Sequence, residues 1–91
     1  MIEAKYLEHF IKDLSNLKSI PSSYSKIKKL CFEEIPELES FRNIRGMKKI
    51  EGEKIYFRIR SGDYRIGIKF ENGIVSFMRV LHRREIYRYF P

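Results

Sequence analysis

Residues 55–82 read Ile-Tyr-Phe-Arg-Ile-Arg-Ser-Gly-Asp-Tyr-Arg-Ile-Gly-Ile-Lys-Phe-Glu-Asn-Gly-Ile-Val-Ser-Phe-Met-Arg-Val-Leu-His, and this stretch decides the fold. Ile55, Phe57 and Ile59 alternate with Tyr56, Arg58 and Arg60. After Ser61-Gly62-Asp63, Tyr64, Ile66, Ile68 and Phe70 alternate with Arg65, Gly67 and Lys69. A period of two is the signature of a strand with one buried face. Asn72-Gly73 comes next, and both central residues of a type I′ hairpin turn need the positive φ that these two residues adopt most readily. Ile74–His82 supplies a third run, so the stretch reads as a three-stranded antiparallel meander.

Alternation also sorts the charges. Tyr56, Arg58 and Arg60 share one face, and pairing across the first hairpin puts Arg65 and Lys69 on it as well. The opposite face is apolar and is expected to receive the N-terminal half of the chain. Several arginines on one open face repel each other unless an anion or an acidic partner neutralises them. The plain alternative is a solvated surface on which they pair with Asp63, Glu71 or Glu85. The third run is apolar on both faces, which leaves the side taken by Arg79 open.

Moving toward the N-terminus, the period changes. After a very short possible strand at Ile2–Lys5, the residues Leu7, Phe10, Ile11, Leu14 and Leu17 fall at helical spacing, with Glu8, Lys12, Asp13 and Ser15 opposite them. The helix is expected to end near Lys18–Pro21. Ser22 or Ser23 is then the expected cap of a second helix that turns Tyr24, Ile27, Leu30 and Cys31 inward and stops at Pro36. Residues 37–53 read mostly as loop, with Gly46 and Gly52 as turn positions. The fold class is therefore α+β: a helical hairpin packed on a small antiparallel sheet, in a single domain over residues 1–91.

Composition bounds the function. The net charge of +7 is unevenly spread: residues 1–41 carry 6 Lys/Arg against 7 Asp/Glu, and residues 42–91 carry 13 against 5. A one-sided positive field raises the local concentration of phosphate-bearing partners. An anionic protein or a membrane surface would respond to the same field. Cys31 stands alone, so no intrachain disulfide forms and a reducing compartment is expected. With no apolar signal segment at the start and no run near the ~20 apolar residues of a membrane span, the sequence reads as cytoplasmic. Two scattered histidines and one cysteine offer no metal-ligand spacing, and neither a metal nor another cofactor is expected.

The chemistry-bearing segment is His82-Arg83-Arg84-Glu85-Ile86-Tyr87. Histidine changes charge near neutrality and serves as base or acid, although a lone strand-end histidine is more often ordinary surface. Arg83 and Arg84 suit bidentate phosphate contacts, or are simply exposed. Tyr87 is a proton donor, a stacking ring or a C-terminal anchor. Cations, an imidazole and phenols together hold a polyanion and move protons on it, which points to RNA and to its cleavage.

The stretch from Tyr56 to Ile66, then Asn72-Gly73, and then Leu81-His82-Arg83-Arg84-Glu85-Ile86-Tyr87-Arg88 closely resembles the RelE/ParE family of type II toxins, whose size and element order also match. The resemblance implies a toxin held inactive by a cognate antitoxin. RelE-like members are metal-independent endoribonucleases that cut mRNA in the ribosomal A site, the 2′-hydroxyl attacking the adjacent phosphate. ParE-like members act on DNA gyrase instead. Carried over by position, the site falls on Arg58, Arg65, Arg83 and Tyr87, with His82 as a further proton-transfer candidate. Tyr56, Arg60, Lys69 and Arg84 then serve RNA binding. Tyr56 stands where RelE has a lysine, so part of the general-base role is reassigned here. The expected partners are the antitoxin, mRNA and the ribosome; the alternatives are a gyrase inhibitor or a non-catalytic RNA-binding protein.

Overall fold

The computed structural model covers residues 1–91 in the order β1 (Glu3–Tyr6), α1 (Glu8–Asn16), α2 (Pro21–Lys29), α3 (Ile35–Glu37), β2 (Met47–Lys49), β3 (Tyr56–Ser61), β4 (Tyr64–Glu71), β5 (Ile74–His82) and α4 (Ile86–Tyr89). The strands form one sheet in the order β1-β5-β4-β3-β2. β2 to β5 are antiparallel neighbours, so the meander stands as read; β1 joins the sheet parallel to β5. No helix is long and apolar enough to cross a membrane.

The turns follow their residues. Asn72 and Gly73 both take positive φ (55° and 77°), as the type I′ turn requires. Gly62 alone is positive in the β3–β4 connection, which fits a turn with glycine at its first central position. The helices cover one face of the sheet, where Phe10, Ile27, Ile59, Ile66, Ile68 and Phe77 are almost wholly enclosed.

Four local expectations are corrected. No serine caps α2: the helix begins at Pro21, whose fixed φ and missing N–H suit a first turn. Pro36 does not stop it either, because the chain passes from α2 through a π-helical stretch (Leu30–Glu34) into α3 and ends after Glu37. A proline in a regular helix clashes with the carbonyl four residues earlier, and the wider π turn just before Pro36 relieves that crowding. Met47–Lys49 is a strand rather than loop, too short to show a period in sequence. Asp13, expected on the solvent side of α1, is buried.

Asp13 owes its burial to β5. β1 pairs with β5 only as far as Phe77, leaving the edge of β5 unpaired beyond it. Asp13 fills that gap: its carboxylate accepts the Val80 N–H at 3.1 Å and both Nε and Nη2 of Arg79 at 2.7 and 3.1 Å. One side chain thus satisfies the edge backbone and a half-buried guanidinium, and ties α1 to the sheet.

A bulge sets the phase of β5. Near the hairpin, Ile68 faces Phe77; one step on, Gly67 faces Arg79, so β5 carries one residue more than β4, at Met78. The extra residue inverts the alternation. Val75, Phe77, Val80 and His82 therefore point to the helical side, and Arg79 and Leu81 to the other.

Candidate functional site

The register gathers the arginines as the alternation requires. Arg60 lies opposite Arg65, Arg58 opposite Gly67 and Tyr56 opposite Lys69, all on the face away from the helices. The strand missed in sequence adds Lys48 to the same row, opposite Arg58. A shallow depression of about 390 Å³ is lined by Arg58, Arg65, Arg83, Arg84 and Tyr87. It brings two strand arginines, two arginines of the post-strand turn and the tail phenol into one place.

Backbone carbonyls hold these side chains. Arg58 Nη1 donates to the Gly46 carbonyl at 3.1 Å, and the same carbonyl accepts the Arg60 N–H at 3.0 Å. Gly46 takes a φ of 73°, and a Cβ there would stand 3.1 Å from the Arg60 carbonyl oxygen, so both the backbone conformation and the close approach favour glycine. Arg65 Nη1 donates to the carbonyls of Gly62 and Tyr64 at 2.8 and 3.0 Å. The Arg83 N–H donates to the Asp63 carbonyl at 2.7 Å, joining the tail to the β3–β4 turn. The Asp63 carboxylate is 3.8 Å from Arg83 Nε in an exposed pair of small energetic weight.

The cluster is electrostatically incomplete. Burial, then the fields of Arg60 and Arg58, lower the pKa of the Arg65 guanidinium from its ordinary value; Arg83 adds to the lowering and Tyr87 opposes it. No carboxylate faces Arg65 as Asp13 faces Arg79. An incoming anion would relieve this repulsion while meeting donors already oriented.

Other expected site residues fall elsewhere. His82 lies opposite Tyr64 on the helical side, its ring edge-on to the Tyr64 ring at 5.7 Å, and its Nδ1 accepts the Arg84 N–H at 3.2 Å. It is not in the arginine depression, because the bulge turned it away. Lys69 sits four residues along the strand from Arg65, roughly 13 Å, and is 3.8 Å from Glu71. Tyr56 packs its ring edge-on against Phe90 at 5.7 Å. A roomier depression of about 420 Å³, bounded by Leu7, Met78, Arg79 and Tyr89, lies on the other side of the tail. Its guanidinium is already held by Asp13, so it gathers no free cations.

Sequence reading missed the supports: Gly46 as acceptor, Lys48 in the row, and Phe90, which packs over Gly67 and against Tyr56 beside the arginines. Only the RGM run at Arg45-Gly46-Met47, with glycine beside a possible strand, hinted at the first two.

Residues 4–87 match the family model described as the ParE toxin of the type II toxin–antitoxin system parDE. The chain is 42% identical over 87 residues to Toxin RelE3 of Methanocaldococcus jannaschii, covering 94% of this chain and 96% of that protein. Its fold is similar to the toxin in the RelB-RelE antitoxin-toxin complex from Methanococcus jannaschii (TM-score 0.73, 41% identity, covering 96% of this chain and 99% of that one). It is also similar to a chain of the RelBE2 toxin-antitoxin complex from Mycobacterium tuberculosis (TM-score 0.70, 21% identity, 90% and 98% covered), a likeness of fold alone. By the family model over almost its whole length and by the identity to an archaeal RelE toxin, the chain belongs to the RelE/ParE family of type II toxin–antitoxin toxins.

Proposed function

We propose that this chain is the toxin of a type II toxin–antitoxin pair and a metal-independent endoribonuclease that cleaves mRNA on the ribosome. The convergence of Arg58, Arg65, Arg83 and Arg84 with Tyr87 in one open depression carries this reading. The identity to Toxin RelE3 supports the choice of a RelE-type activity.

In the reaction, a ribose 2′-hydroxyl loses its proton and attacks the adjacent phosphorus. The P–O5′ bond breaks, the 5′-oxygen takes up a proton, and a 2′,3′-cyclic phosphate remains. Arg58 and Arg65, braced by backbone carbonyls, and Arg83 from the turn bind the phosphate and stabilise the extra negative charge of its pentacovalent transition state. Arg60, Arg84 and Lys48 extend the grip along the backbone; Tyr56 and Lys69 lie at its margin. Tyr87 is the proton-transfer group in the depression, since a guanidinium does not give up its proton near neutral pH. His82 serves the site by holding the turn that presents Arg83 and Arg84. The antitoxin neutralises the cationic face or displaces the tail; the existence of a RelB-RelE complex for a toxin 41% identical to this chain supports an antitoxin partner.

A gyrase-directed reading is favoured by one observation, the ParE description of the matching family model. Primer extension on mRNA from cells expressing the protein separates the two. New 5′ ends within translated codons are expected, and absent from cells expressing the Arg65→Ala protein. Intact transcripts with an induced DNA-damage response would overturn the nuclease reading.

A further inference from the structure

The C-terminal segment reaches the arginines by means that α4 itself does not provide. A single turn of four residues has no stability of its own in water. Its place comes from two side chains four apart, Ile86 and Phe90, which are 0% and 3% exposed, while Tyr87 between them is 60% exposed. The Phe90 N–H closes the turn on the Ile86 carbonyl at 2.8 Å.

Phe90 sits where Gly67 leaves room. Of the five glycines, Gly46, Gly52, Gly62 and Gly73 take positive φ; Gly67 does not, and a glycine inside a strand otherwise weakens it. Space is what Gly67 contributes: a Cβ there would lie 2.7 Å from the Phe90 ring. The Tyr56 ring meets the seated ring edge-on at 5.7 Å. Gly67 is also the cross-strand neighbour of Arg58, so this notch adjoins the phosphate-binding arginines.

We infer that Phe90, locked in the Gly67 notch and braced by Tyr56, is a positioning residue that sets Tyr87 over the arginines. The inference rests on the nuclease reading and on Tyr87 as its proton-transfer group. The strand arginines Arg58 and Arg65 bind RNA through carbonyl-held side chains that do not depend on Phe90. Losing the lock therefore slows the chemical step and leaves binding in place. A misplacement of about 1 Å is enough to cost on the order of 10²-fold.

The test is single-turnover cleavage of a defined mRNA on programmed ribosomes, with the saturating rate and the half-saturating concentration read separately. Phe90→Ala and Gly67→Ala attack the lock from its two sides. Each is expected to lower the saturating rate by roughly 10- to 10²-fold with an unchanged half-saturating concentration. Phe90→Leu, which refills the notch, restores most of the rate. In a Tyr87→Phe background, Phe90→Ala is expected to cost nothing further, because both changes act through one hydroxyl. Gly67→Ala, judged folded by circular dichroism, keeps the test decisive if Phe90→Ala unfolds: a loss it shows equally with and without the Tyr87 hydroxyl would overturn the inference. So would wild-type cleavage by Phe90→Ala beside a slow Tyr87→Phe protein. Intact mRNA with the wild-type protein removes the nuclease reading itself; wild-type cleavage by Tyr87→Phe keeps that reading but removes Tyr87 as the proton-transfer group, and either outcome takes the lock with it. Those outcomes are recognised without any change at Phe90.

Discussion

Arg65 and Arg79 stand on the same open face of the same sheet, yet their surroundings oppose each other. Arg79 is gripped by Asp13, whose hydrogen bonds raise its pKa; Arg65 has carbonyl oxygens, the Tyr87 phenol and other arginines beside it but no carboxylate, and its pKa is lowered by burial and by Arg60 and Arg58. The difference separates a cation balanced by a carboxylate of its own chain from one that is not. The region around Arg79, like the apolar face beneath the helices, is satisfied from within the chain. The region around Arg65 has no acidic side chain from within the chain to balance it.

The contrast is broken most severely at the internally satisfied end. Phe77→Ala removes an enclosed ring stacked on Tyr6 at 5.0 Å and is expected to cost about 3–5 kcal/mol, read by urea denaturation. Arg65→Ala should leave the unfolding midpoint near wild type while lowering single-turnover mRNA cleavage by about 10²–10³-fold, the usual penalty for removing one transition-state donor. An unfolded Arg65→Ala protein would show the arginine to be structural. Asp13→Ala strands the Arg79 guanidinium and the Val80 N–H together. Each abandoned buried group costs about 1–3 kcal/mol, and hydrogen exchange at Val80 is expected to rise.

Smaller effects sharpen the comparison. Arg60→Gln removes one source of repulsion at Arg65, so stability should rise by a few tenths of a kcal/mol, within the range of surface changes. Added salt should narrow that gain by screening. A fall in stability would mean that Arg60 holds an attractive contact. At alkaline pH, burial raises the Cys31 thiol well above its ordinary value. The folded state therefore favours the neutral thiol: its contribution is fully present below the unfolded-state value of roughly 8.5 and declines as pH rises beyond it. Cys31→Ala should flatten that decline in a series of denaturation curves, and thiol labelling of the wild-type protein should proceed only as fast as it opens.

The alternation from Ile55 to Phe70, the Asn72-Gly73 turn and the helical spacing of Phe10, Leu14 and Leu17 were legible because each is a local rule, written in residues a few positions apart. They determine the meander, the apolar face and the grouping of Arg58, Arg60 and Arg65, and with them half of the site. The other half was decided by contacts between distant segments. The bulge at Met78 turned His82 away and Arg79 outward; the open edge of β5 buried Asp13; the short β2 found its partner only in β3; and the Gly67 notch brought Phe90, and Tyr87 with it, to the arginines. None of these has a sequence period, because each depends on which backbone groups and which empty volumes remain once the sheet has formed.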